Sequence, residues 1–136
     1  MRTVEVSRLV RAGPAAVDRL LTPRAIVEYE GSFAVQEVEE RPDGWLVRAG
    51  SRGLELSIRF ESLTDGFYYE FEGERAPIET METTLRRRPE NEGTRLTAVS
   101  DVEMGIRPAT VTDRIAAWKR RGELERALEA LAADAE

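Results

Sequence analysis

Apolar and polar residues alternate with period two over most of this chain and take up a helical period in three stretches. Thr3 to Arg11 sets Val4 and Val6 against Glu5 and Ser7 before the pattern blurs at Leu9–Val10, which predicts a strand of uncertain register near its end. Gly13-Pro14 stops it, and Pro14 suits the first turn of a helix, where its missing N–H costs nothing. Ala15, Val17, Leu20 and Leu21 form one short amphipathic helix. Thr22 is placed to cap a second short helix running through Ile26, Val27 and Tyr29. After Gly31 the alternation returns, with a strand over Phe33–Glu40, a turn at Arg41-Pro42-Asp43-Gly44 and a strand over Trp45–Ala49. Leu54, Leu56, Ile58 and Phe60 then alternate with Glu55, Ser57, Arg59 and Glu61, the cleanest half-buried strand in the sequence. Thr64-Asp65-Gly66 reads as a hairpin turn. Strands follow over Phe67–Glu72, Ile78–Arg88 and, after the turn Pro89–Gly93, Thr94–Met104. From Ala109 to Ala133 the pattern is helical.

The order is β-α-α, six strands joined by tight turns, and one long helix. Strands joined by such short connections are antiparallel neighbours. One face of the sheet carries the apolar set, and the final helix is the only element long enough to cover it. The expected architecture is therefore α+β: a curved seven-stranded antiparallel sheet, two short helices and a long C-terminal helix, as a single domain over 1–136.

The long helix carries two apolar stripes. At about 100° per residue, Val111, Ile115, Trp118 and Gly122 share one stripe, and Leu124, Leu128 and Leu131 share another, more than ~90° away. A straight helix cannot lay both on one sheet. The expectation is that the sheet holds the Val111–Trp118 half, that the helix kinks or changes partner near Gly122, and that the Leu124–Leu131 stripe meets the short helices or a second subunit.

Composition narrows the chemistry. There are no cysteines and no histidines, which excludes disulfides and thiolate catalysis and removes the two best zinc ligands and the usual general base. No cofactor and no metal is expected, and an enzyme would need perturbed carboxylates, Tyr or the single Lys119. A net charge of −6 argues against nucleic acid as a partner. No apolar run is long enough for membrane insertion, and the N-terminus lacks the features of a signal peptide, so a cytoplasmic protein is expected.

The β-α-α-β6-α order resembles the helix-grip fold of the START-related and polyketide-cyclase superfamily, which includes birch-pollen-allergen-like proteins. The resemblance runs through Ala12-Gly13-Pro14-Ala15-Ala16-Val17 after the first strand and Tyr29-Glu30-Gly31 at the end of the second helix. It continues through Leu54–Phe60 with Phe67–Phe71, Thr94–Met104 with Gly105 and Pro108, and the closing Leu-rich helix. It implies binding of lipids, hormones or polyketides, with catalysis in some members and no shared catalytic motif.

Period two nominates the residues that would line a space between sheet and helix. They are Leu56, Ile58 and Phe60, Tyr69 and Phe71, Met81 and Thr83, and Ala98, Ser100, Val102 and Met104, with Ile115 and Trp118 closing it from the helix. The competing reading is a solid core. Ser100 and Thr83 bond either to backbone or to a ligand, and Tyr69 needs a partner for its phenol. Glu70, Glu72, Glu79 and Glu82 read as a solvated face paired with Arg59 or Arg86, with Glu79 sharing the face of Met81 and Glu82 taking the other. Arg86-Arg87-Arg88 reads as a solvated hairpin end, and Asp101 with Glu103 as a carboxylate pair short of a metal set. Three functions compete: a carrier of a small apolar molecule, a cyclase- or dehydratase-like enzyme, and an interaction module, such as a homodimer, docking through Leu124–Leu131.

Overall fold

The computed structural model describes residues 1–73 and 79–136. Its elements are β1 (Arg2–Val10), α1 (Pro14–Leu20), α2 (Pro23–Glu30), β2 (Ala34–Arg41), β3 (Gly44–Ser51), β4 (Leu54–Leu63), β5 (Gly66–Glu72), β6 (Glu79–Glu90), β7 (Gly93–Met104) and α3 (Ala109–Ala135). The expected start of the sixth strand at Ile78 lies outside the described residues, as does the side chain of Glu79.

All seven strands join one antiparallel sheet in the order β1-β7-β6-β5-β4-β3-β2. Strands β2 through β7 are neighbours in chain order, and β1 closes the far edge against β7 because α1 and α2 carry the chain across the sheet. Gly44 shows why the β2–β3 turn needs glycine: a Cβ there would lie 1.9 Å from the carbonyl oxygen of Phe60. α3 lies over β1 and β7, with α2 and α1 against its flank. This is the helix-grip α+β architecture.

The grip is made by a different face of α3 from the one expected. Val111, Ile115 and Trp118 are exposed, whereas Leu124, Leu128 and Leu131 are buried against the sheet and short helices. The helix runs through Gly122 without a break. Asp113, Ala116, Arg120, Glu123, Leu124, Ala127, Leu128 and Leu131 are all buried, and their three- and four-residue steps trace one continuous stripe. Counting apolar residues alone hid that stripe, because its N-terminal half is polar and its charges are met by partners inside the molecule. No change of face is needed, so none occurs. The Leu124–Leu131 stripe is core, and it is not available as a surface for a second subunit.

The two stripes should therefore differ sharply on truncation. Leu128→Ala should lower unfolding free energy by about 2–5 kcal/mol, as for other buried leucines, while Ile115→Ala should stay within about 0.5 kcal/mol of the parent. Urea unfolding of both variants checks this.

Candidate functional site

The register brings most of the nominated residues onto one concave face. Phe60 faces Tyr69, Ile58 faces Phe71, Tyr69 faces Thr83, Thr83 faces Ser100, and Met81 faces Val102. Ile58, Phe60, Tyr69, Met81, Thr83, Ala98, Ser100 and Val102 are buried, and Leu56, Phe71 and Met104 are half-buried at the margins. Phe60 and Tyr69 stack with ring centroids 4.6 Å apart, and Phe67 meets Phe60 and Trp45 edge-on. Ile115 and Trp118 do not join them: both point to solvent from the opposite side of α3.

The place at mid-helix that Ile115 and Trp118 were expected to fill is held by Arg120, which is 2% exposed. Its guanidinium makes a forked pair with Glu30, Nη1 to Oε1 at 2.6 Å and Nη2 to Oε2 at 3.0 Å. Nη1 also donates to Glu123 Oε1 at 3.2 Å, Nη2 to Thr83 Oγ1 at 2.8 Å and Tyr69 Oη at 3.3 Å, and Nε to Ser100 Oγ at 3.1 Å. Every one of the guanidinium's donors is thus used. The partners are satisfied in turn. Tyr69 donates to Glu30 at 2.5 Å, Ser32 donates to Glu123, and Ser100 donates to the carbonyl of Glu82 at 3.2 Å. Thr83 lies 2.8 Å from Ser100 Oγ and 3.0 Å from Met81 Sδ. Among the described residues no buried side-chain nitrogen or oxygen lacks a partner.

Local structure places each member. Thr22 accepts from the Ala25 N–H at 3.1 Å to start α2, and Gly31 ends it at φ +79°, a left-handed cap that suits glycine. Glu30 is therefore fixed at the last helical position, and Arg126 donates to its carbonyl at 3.2 Å. Arg120 lies on the buried stripe of α3, four residues after Ala116 and four before Leu124. That spacing was the signal available in the sequence. It was missed because an arginine on an apolar stripe looks like an interruption.

Electrostatics make the centre a lock and leave little acid–base chemistry in it. Burial opposes the charge on Arg120, but Glu30 first, and then Tyr69 and Glu123, together more than offset it and hold the guanidinium's pKa above its usual range. Burial, and then the charge of Glu30, push the Tyr69 phenol well above its ordinary 10.0, with Arg120 acting the other way. Tyr69 is thus a proton donor to Glu30 and stays protonated at neutral pH. Ser100 and Thr83 spend their hydroxyls on the network, so neither is an activated nucleophile.

The outer face is separate. Tyr68 points outward and donates to Glu70 and Glu82, both at 2.8 Å, while Arg59 pairs with Glu70 at 2.7 Å. Arg86 pairs with Asp65, Arg87 with Asp18 and Arg88 with Glu90, so all three consecutive arginines are ion-paired. Among the described residues no cluster of three or more His, Cys, Asp or Glu side chains is set to hold a metal. No helix there is long and apolar enough to cross a membrane.

Open space lies at one end of the sheet. β5 and β6 pair from Gly66↔Arg86 to Glu70↔Glu82. Beyond that point a half-open hollow of about 280 Å³ lies among Phe71, Met81 and Val102 of the inner face, with Glu70, Glu82 and Asp101 at its outer rim and Met1, Gly73 and Thr80 beside them.

A sheet wrapped on a C-terminal helix, with its inner face closed at the centre by Arg120, is the helix-grip fold in general form. The chain belongs to the polyketide cyclase / dehydrase and lipid transport family, which it matches over residues 1–136. Its fold is similar to that of TTHA0849 from Thermus thermophilus, at 19% identity over 98% of this chain and 97% of that one, with a TM-score of 0.71. It is also similar to the di-domain ARO/CYC BexL from the BE-7585A biosynthetic pathway, at 20% identity over 93% of this chain and 45% of that one, TM-score 0.67. A third similar structure is Ara h 8.0201, at 9% identity over 97% and 98%, TM-score 0.63. No curated protein matches by sequence.

Two measurements test the lock. Arg120→Met leaves two carboxylates buried without their cation and should cost about 3–5 kcal/mol. Adding Glu30→Gln should recover about 1–3 kcal/mol of that as a coupling energy in a double-mutant cycle; strict additivity would mean the two side chains do not act together. The raised pKa of Tyr69 gives the sign of the alkaline response. The neutral phenol is favoured in the folded state, so its contribution is complete below the unfolded value of about 10 and is lost as pH rises from there through the folded value. The urea midpoint should hold to about pH 10 and then fall. Tyr69→Phe should flatten that fall; Tyr29, pushed up to about 12 by burial and then by Asp134, accounts for part of the remainder.

Proposed function

We propose that the chain is a binding protein for a compact, mainly apolar molecule that sits at the open end of the inner face, against Phe71, Met81 and Val102. The observation that carries this reading is the division of the concave face. Its centre is spanned by the Arg120 network, while the hollow at the end reaches three apolar inward side chains. About 280 Å³ is near the lower limit for small-molecule sites and favours a compact ligand of one to three rings over a long acyl chain. The rim carboxylates Glu70, Glu82 and Asp101 disfavour carboxylate or phosphate groups at the mouth, so the ligand class is neutral or amine-bearing. Membership of a family named for cyclases, dehydrases and lipid transport supports binding of this kind. A carrier role fits better than catalysis, because Tyr69 is held protonated and both inner hydroxyls are committed to Arg120.

Titration with the small neutral fluorophore 1-aminoanthracene tests the reading. Saturable enhancement with one site per chain is expected, weakened at least about tenfold, or ~1.4 kcal/mol, by Phe71→Arg. Trp118→Ser, on the far side of α3, should leave it unchanged. Equal affinity in the Phe71 variant, or no enhancement in the parent, would contradict the assignment.

A further inference from the structure

The stripe that α3 turns away from the sheet is apolar and, among the described residues, unpartnered. Trp118 is 79% exposed, Ile115 58% and Val111 52%, and Ile106 just before the helix is 38% exposed. At about 100° per residue, the three helical members fall within ~60° of one another. Arg114 and Arg121 flank them on one side and Lys119 on the other, all exposed, with Arg107 ahead of the helix.

Up to Gly122 the exposed charge around this ridge is positive, and Glu125, seven residues after Trp118, is the first exposed carboxylate beyond it on α3. Between residues 105 and 122 the only carboxylate is Asp113. It is buried, and it accepts from the N-terminal ammonium at 2.6 Å and the Met104 N–H at 2.9 Å. Four exposed cations therefore surround the exposed apolar residues, on a chain whose net charge is −6. A shallow hollow of about 280 Å³ opens beside Trp118, lined by three cations, Lys119, Arg121 and Arg126, and one carboxylate, Glu125, with Ser32 and Gly122.

We propose that this face of α3 is a peripheral docking surface for an anionic lipid bilayer. A convex ridge with Trp and branched aliphatics at its crest, and cations at both margins, matches the depth profile of a membrane interface. The apolar crest enters the headgroup–acyl boundary while the arginines and lysine reach back to lipid phosphates. Two copies of the face would oppose like charges, which disfavours a symmetric dimer through it. The helix lies on the bilayer and does not cross it, and the proposal is independent of what the inner hollow binds.

Co-sedimentation of the full chain with phosphatidylcholine vesicles, with and without phosphatidylglycerol, tests this. Binding is expected only with the anionic lipid, falling as salt rises, with a blue shift in tryptophan emission that persists in a Trp45→Phe background. Trp118→Ser and the pair Arg114→Gln with Arg121→Gln should each weaken binding by at least about tenfold. All three sites are exposed, and unchanged thermal unfolding and 1-aminoanthracene binding show that the variants fold. No preference for anionic vesicles would overturn the proposal. So would salt-sensitive binding that survives Trp118→Ser, which would point to general polyanion binding, acidic proteins included. Self-association that Trp118→Ser abolishes would give the face to a second copy instead.

Discussion

A guanidinium sealed between a helix and a sheet has to find an acceptor for each of its N–H groups, because none can be left to water. Arg120 meets that condition with two carboxylates and three hydroxyls drawn from α2, β5, β6, β7 and its own helix. The arrangement ties those elements together with directional bonds, where a leucine would only have required enough apolar volume. Glu30 has to stand at the end of α2, Tyr69 and Thr83 have to face inward, and α3 has to present its 120th residue at that depth. Register and helix rotation follow from these demands.

The cost of this device is occupancy. The middle of the concave face, between α3 and the strands, is filled by charge and hydroxyl groups. Among the described residues a hollow lies at the end of the sheet beyond Glu70↔Glu82, and its size is what favours a small ligand in the function proposed above. A buried ion pair is not a strong source of net stability compared with a well-packed apolar replacement. Its effect here is on specificity, because a helix rotated by one residue would carry Arg120 away from Glu30.

Much of the fold was legible in the sequence because it rests on local rules. Period two in Leu54–Phe60, the hairpin at Thr64-Asp65-Gly66 and the Thr22 cap each depend on neighbours within a few residues, and the structure has all three. The inward parity of Tyr69, Met81, Thr83 and Ser100 follows from the same alternation. The rotation of α3 did not follow, because its gripping face is polar for half its length. Asp113 and Arg120 are buried only because Met1, Met104 and Glu30 come to meet them, contacts separated by 9 to 112 residues along the chain. Hydrophobic counting therefore assigned the exposed Val111–Trp118 stripe to the sheet and the buried leucines to the short helices or a second subunit, whereas the leucines meet both the sheet and the short helices. The same error concealed both the lock at the centre and the unpartnered apolar ridge outside.

The central claim is that Arg120 is immobile and fully bonded inside the folded chain. Nitrogen-15 NMR of its side chain addresses that directly. A rigid, forked pair with Glu30 predicts separate signals for the guanidinium N–H groups, slow exchange with water and restricted rotation about the terminal bonds. Averaged, rapidly exchanging signals, like those of an arginine in solvent, would show that the space between helix and sheet is not closed by this contact.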